Sequence, residues 1–322
     1  MNLHGNEKEF FRLMGYPLPM ASLYPHYLEM MAQRDYRIKD LVDEFNIYAK
    51  WVLDMGYSSC QNYRIDHAAK AFESWAKAND PLKNIEYDVL QFKEKDHRKA
   101  YVHRLPVLQQ KGMLEGQSRM VTEGRYPLFS IDMAEANYSV MKLGAQQKGI
   151  KVPQRWSEFC DEVLRIHPFL AQSKVFRQHC FGAYNPKTCA SVQKSFIQSM
   201  VDKFDLYEKA VLISPDEIVM PYEKEASDRL HNDIYYSIMG GMYNGAVGVK
   251  TTLYEMYRLN DGDDGMLKVT YDSGRLEERD RRLFAVSANK HYMYFRKYIL
   301  DQPIQENDTI FMNDGLKAKW II

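Results

Sequence analysis

The sequence lacks an excess of charge of either sign: 43 Lys and Arg cancel 43 Asp and Glu over 322 residues. No global positive field announces a nucleic-acid partner, although a neutral sum is compatible with a basic groove facing an acidic back. Cysteine is scarce. Cys60, Cys160, Cys180 and Cys189 are the whole set, with no CxxC and no zinc-ligand spacing. That excludes a disulfide-stapled scaffold and points to reduced thiols in a cytoplasmic, reducing compartment. No apolar run approaches the roughly 20 residues that a membrane-spanning helix needs, and Met1 to Phe11 is polar with no signal-peptide core. The expectation is a soluble protein with no membrane partner. Catalytic signatures are missing too: there is no HExxH or HxxxH, no GxSxG, and no Walker or dinucleotide pattern. His167 and His179 have no acid or second His at ligand spacing, so they read as core or surface residues.

What is present is a globular composition, 45% hydrophobic and 27% charged, with 23 Tyr and 18 Met. Amphipathic rings and flexible thioethers suit contact surfaces, and they also pack well in a core.

The hydrophobic pattern predicts an α+β chain in three stretches. Residues 1–100 read as a helical N-terminal region. Ile38, Leu41, Val42, Phe45, Tyr48 and Val52 form one apolar stripe ending near Gly56, and Ala68, Ala71, Phe72 and Trp75 form a second. Tyr87 to Phe92 and Tyr101 to Leu105 favour strands. Residues 101–245 read as a central α/β domain. Its elements are a strand at Leu128 to Ile131, a helix from Ala134 stopped by Gly144, a helix capped by Ser157, and a strong helical stripe from Val192 to Phe204. Ala210 to Ile213 and Ile218 to Met220 flank Ser214-Pro215-Asp216-Glu217, a β-turn sequence, and make a hairpin; Glu223 to Met239 reads as a helix. Residues 246–322 read as a small β-rich module, with turns at 260–265, Asp272-Ser273-Gly274 and Asn313-Asp314-Gly315.

Three segments carry candidate chemistry. In the first, Asp132 lies where a strand meets a helix, a place for a metal-binding carboxylate or, with Glu135 three residues on, for a capping box. The second runs from Arg177 through Gly182, Lys187 and Thr188 to Gln193 and Lys194. It offers three cations and a helix start suited to phosphate, or a solvated loop. The third is the hairpin tip with Asp216 and Glu217; Ser214 to Glu217 also has capping-box spacing with Pro215 at N1, but Ile218 and Val219 favour a strand. Gly262-Asp263-Asp264 sits among six consecutive Asn, Asp and Gly residues, a loose connection that would hold carboxylates poorly.

Taken in order, these segments resemble the palm of template-dependent polymerases, including reverse transcriptases. Tyr-x-Asp-Asp is absent, and Ser-Pro-Asp-Glu stands in the hairpin. The resemblance implies a palm-like domain in which Asp132, Asp216 and Glu217 are catalytic. Asp132 and Asp216 would be ligands of two Mg²⁺ or Mn²⁺ ions about 4 Å apart. Asn137, Arg177, Lys187, Gln193 and Lys194 would bind substrate. The implied activity is metal-dependent nucleotidyl transfer, with nucleic acid or a nucleoside triphosphate as partner. The competing expectation is a non-catalytic nucleic-acid-binding or protein-assembly factor whose Tyr and Met form contact surfaces.

Overall fold

The computed structural model describes residues 1–60, 63, 65–95, 125–222, 227, 229–230, 232–234, 246–259, 265–271 and 278–321. Along the chain the named elements begin with α1 (Glu7–Met14), α2 (Tyr24–Arg34), α3 (Arg37–Asp54) and α4 (Ile65–Asn79). Then come β1 (Arg125–Ala134), α5 (Ala136–Gln147), α6 (Trp156–Glu162), α7 (Pro168–Gln172), α8 (Lys174–Ala183) and α9 (Pro186–Lys203). The strands β2 (Leu212–Ile213), β3 (Glu217–Pro221), β4 (Gly248–Arg258), β5 (Met266–Tyr271) and β6 (Glu278–Phe284) follow. After the short helix α10 (His291–Tyr294), β7 (Ile310–Asn313) and β8 (Leu316–Lys319) close the described chain.

These elements gather into two units that interleave in sequence: residues 1–79, 155–184 and 286–322 form one, and 80–154 with 185–285 form the other. The sequence pattern suggested consecutive stretches with boundaries at 100 and 245. The difference arises because Trp156, Phe159, Phe176 and Phe181 bury themselves against the N-terminal helices. Phe72 on α4 meets the rings of Trp156 and Phe181 with centroids 5.9 and 5.0 Å away. Each such pair adds about 1 kcal/mol beyond its buried area, so the rings recruit a distant segment.

The helical unit follows the 3.6-residue pattern closely. Ile38, Val42, Phe45, Tyr48, Ala49 and Val52 are buried on α3, and Ala68, Ala69, Phe72 and Ala76 on α4. The tyrosine surplus is partly absorbed here: Tyr24, Tyr27, Tyr48, Tyr63, Tyr292 and Tyr294 are all buried. The four cysteines are buried free thiols, and none of the described helices is long and apolar enough to cross a membrane. His167 caps α7, its Nδ1 accepting from the Phe169 N–H at 3.3 Å, and His179 pairs with Asp66 at 2.9 Å. The helix expected to be capped by Ser157 begins one residue earlier, at Trp156, with Arg155 as its cap.

The second unit is built on a six-stranded sheet of order β2-β3-β1-β4-β5-β6, every neighbour antiparallel. Of the five named helices between β1 and β2 in sequence, α5 and α9 belong to this unit. Ser227, Arg229, Leu230 and 232–234 are helical in the β3–β4 connection. The first four strands thus have the order and crossovers of a split β-α-β sheet, with β1 and β3 at its centre. Phe129, Ile131 and Met133 are buried on one face of β1 and Leu128 and Ser130 on the other. Leu128 joins Leu212, Val219, Tyr254, Met256 and Met266 in one apolar cluster.

Several expectations are corrected here. β4, β5 and β6 do not form a separate C-terminal β module, because β4 pairs with β1 over ten positions, from Arg125↔Tyr257 to Ala134↔Gly248. Among the described residues, only the β7–β8 hairpin stands apart as a small sheet. Gly144 does not stop α5; it lies inside the helix, where an added Cβ would collide with the Pro81 carbonyl oxygen and sit 3.0 Å from its carbon. Residues 87–92 form no ladder. Helix side chains satisfy this segment instead, as Gln147 holds Glu86 at both N–H (2.9 Å) and C=O (2.8 Å) and the Gln198 Oε1 accepts from the Lys93 N–H at 2.9 Å. The segments 101–105, 235–241, 260–264 and 272–274 lie outside the described residues.

Candidate functional site: an acid pair on the central strands

Asp132 is a strand residue, not a cap. It lies two positions before the end of β1, and the helix that follows starts at Ala136 with Glu135 in its cap position at φ 48° and no side-chain cap bond. The left-handed backbone at Glu135 makes the sharp exit from β1 into α5, at a cost of about 1–2 kcal/mol for a residue with a Cβ.

The β1–β3 ladder sets Asp132 opposite Glu217, and the β1–β4 ladder sets Asp132 opposite Lys250. Directly opposed residues share a face with Cβ atoms about 5 Å apart, so Glu217, Asp132 and Lys250 form a row across three adjacent strands. The hairpin tip is fixed to this row. The Met133 N–H donates to the Asp216 carbonyl at 2.9 Å, and the Ser214 N–H to the Glu217 carbonyl at 2.8 Å. The Ser214 hydroxyl donates to the Asp216 carboxylate at 3.0 Å and accepts from the Glu217 N–H at 3.1 Å. Ser214 therefore closes a turn rather than capping a helix, and it orients the exposed Asp216 beside the half-buried Glu217.

Electrostatics follow from this packing. Burial, then the neighbouring Glu217 and Asp216, push the Asp132 carboxyl up to about 7, with Lys250 and Lys268 opposing. Lys268 on β5 places its ammonium 3.8 Å from the centre of the Tyr254 ring. Burial lowers its pKa, although Glu217 and Asp132 pull the other way. An ion pair in water would shift acid and amine in the opposite senses. Desolvation outweighs pairing on both, so burial disfavours the charged form of the acid and of the amine alike.

The other candidate residues are distributed as follows. Gln193 on α9 is buried and its amide donates to the Asn137 Oδ1 on α5 at 2.7 Å. Lys194 follows with its ammonium 5.5 Å from the Phe92 ring centre. Lys187 is exposed in the first turn of α9, seven residues before Lys194 and so on the same side of the helix. Arg177 belongs to the helical unit, half-buried on α8. Among the described residues, no three His, Cys, Asp or Glu side chains are gathered as a ready metal-binding group. The donors at hand are the opposed Asp132 and Glu217, hard oxygen ligands of the type Mg²⁺ and Mn²⁺ take, with Asp216 at the adjoining tip. Lys250 and Lys268 were not legible as site residues. Each sits in an ordinary strand pattern; the β1–β4 register sets Lys250 opposite Asp132, while Lys268 on β5, opposite Met256, reaches the acids only electrostatically.

No family model, no curated protein and no solved structure matches this chain.

Proposed function

We propose that the sheet unit is a palm-like centre for metal-dependent nucleotidyl transfer on a nucleic acid. The observation that carries this reading is the Asp132–Glu217 pair on neighbouring central strands, joined to the Asp216 tip by the Met133 N–H. Asp132, Asp216 and Glu217 would hold Mg²⁺ or Mn²⁺. Divalent cations there would orient a 3′-hydroxyl and neutralise the leaving pyrophosphate. Lys187 and Lys194 would contact phosphate, and the Asn137–Gln193 amide pair would offer neutral hydrogen bonds to substrate.

A second reading, a non-catalytic nucleic-acid-binding or assembly protein, is favoured by the lack of a gathered three-ligand group among the described residues. In that case Lys250 and Lys268 serve Asp132 as counter-charges. The two readings separate in one assay of the intact chain with Mn²⁺, labelled nucleoside triphosphates and primed or single-stranded nucleic acid. Nucleotidyl transfer predicts incorporation that falls to background in Asp132→Asn. Binding without incorporation, with a salt slope that flattens by about two units when Lys187 and Lys194 become Gln, supports the second reading. Neither binding nor incorporation removes both.

A further inference from the structure

The helical unit contains a cavity of about 350 Å³ that the acid pair does not use. Pro17 and Pro19 line it from the N-terminal segment, Asn289 and Tyr292 from the start of α10, and Phe311 and Met312 from β7. Its aromatic surfaces are held from behind. The Tyr292 ring stacks on Tyr27 with centroids 3.6 Å apart, and its hydroxyl donates to the Pro17 carbonyl. Phe311 stacks on Trp320 at 5.2 Å, and the Trp320 indole N–H donates to the Asn289 carbonyl at 3.2 Å. The rings are therefore fixed before a ligand arrives, which lowers the ordering cost of binding.

One side-chain amide interrupts this apolar lining. The Ser287 hydroxyl donates to the Asn289 Oδ1 at 2.6 Å, and Ser287 itself belongs to the lining. That bond orients the amide, so its Nδ2 hydrogens are the part a ligand meets and the ligand must supply an acceptor. The size and chemistry of the cavity narrow the choice. Its volume lies at the small end of the roughly 300–1,000 Å³ of ligand pockets, room for one ring and its sugar but not for a dinucleotide. A hydrocarbon chain would leave the Asn289 donors without an acceptor. A free sugar would set its hydroxyls against proline and phenylalanine carbons, and either mismatch desolvates polar groups without compensation. A planar ring with an acceptor on its edge meets both demands, its faces on the aromatic and proline carbons and its edge on the amide.

We propose that this cavity binds a nucleobase with a ring carbonyl, the carbonyl oxygen accepting from the Asn289 Nδ2–H while the ring lies against Tyr292 and Phe311. Lys290, next to Asn289, holds its ammonium 4.7 Å from the centre of the Trp320 ring, a positive charge for the phosphate that a nucleotide carries. The site lies within the helical unit and stands or falls independently of any role of the acid pair.

The test titrates uridine, inosine and indole into the intact chain carrying methyl-labelled Met and Ile, followed by NMR. Both nucleosides should shift the methyl signals of Met312 and of Ile310, which also lines the cavity, through the ring current of the bound base. This readout uses the unsubstituted protein and does not depend on how a variant folds. Asn289→Ala keeps the main-chain carbonyl that Trp320 uses, so the aromatic walls remain. It should bind uridine about tenfold more weakly, the worth of one hydrogen bond, and bind indole, which has no carbonyl, as the unsubstituted chain does. Oligouridylate binding more tightly than uridine monophosphate assigns the base to a single strand, and equal affinities assign it to a free nucleotide; either supports the site. The proposal is overturned if no nucleoside shifts those methyl signals, or if Asn289→Ala binds uridine undiminished. It is also overturned if indole binds as tightly as uridine, which would leave an apolar slot without base recognition.

Discussion

Asp132 faces Glu217 across the ladder between the two central strands, and this opposition of two carboxylates is maintained although the sheet gains nothing from it by itself. Like charges directly opposed on a sheet are destabilising. Burial makes the repulsion stronger and lifts the Asp132 pKa to about 7. The arrangement is a cost to the fold, of the kind that accompanies sites prepared for a ligand.

That cost has a defined pH dependence. An acid whose folded pKa lies above its unfolded one binds its proton more tightly in the native state, so stability falls as pH rises between about 4 and 7 and then levels. Asp132→Asn removes the charge and keeps the shape. It should leave stability near pH 4 unchanged and raise it at pH 8 by about 2 kcal/mol, a figure reduced for partial solvent screening. Urea unfolding at the two pH values measures both ends; a variant less stable than wild type at pH 8 would show the carboxylate to be a stabilising partner of Lys250 or Lys268.

Gly144→Ala sets two effects of opposite sign against each other. Replacing a mid-helix glycine by alanine ordinarily stabilises by about 1 kcal/mol. Here the new methyl group meets the backbone of Pro81, which a rotamer change cannot move aside. The net result should be a loss of about 1–3 kcal/mol, read from denaturant midpoints. A stabilised variant would mean that the 80–84 turn yields easily to α5.

In the helical unit, Asp308 is fully buried with Arg296 Nε at 2.5 Å and His26 Nε2 at 3.0 Å. It also accepts from the Gln305 N–H at 2.9 Å. Removing one partner of a buried pair strands the other. Asp308→Ala should cost about 3–5 kcal/mol, and the double variant with Arg296→Met should cost less than the single. Additive losses in that cycle would dissociate the two side chains.

The elements that could be read from sequence are those whose information is local. The stripes of α3 and α9, the β2–β3 hairpin around Ser214 to Glu217, and the Asp314-Gly315 turn all follow from periodicity and turn chemistry within a few residues. What escaped is non-local. Nothing near Gly248 to Arg258 announces that this strand pairs with β1, so Lys250 was invisible as a neighbour of Asp132, and a separate C-terminal module was expected. Gly144 carried a stop signal that a tertiary contact with Pro81 explains instead. For the site itself, the acids were legible as residue types at a strand end and a hairpin tip. Their opposition was not, because register is a property of two strands 85 residues apart in the chain.

The central claim is that the acid pair is a cation site, and its most direct measurement is a thermal melt of the intact chain across a Mg²⁺ or Mn²⁺ series. Wild type should rise in melting temperature with cation concentration, gaining about 2.7 kcal/mol at one hundred times the dissociation constant. Asp132→Asn and Glu217→Gln should give flat responses from a higher starting point. Parallel responses in all three proteins, whether rising or flat, would contradict it and leave the opposed carboxylates as part of a purely structural ion cluster with Lys250 and Lys268.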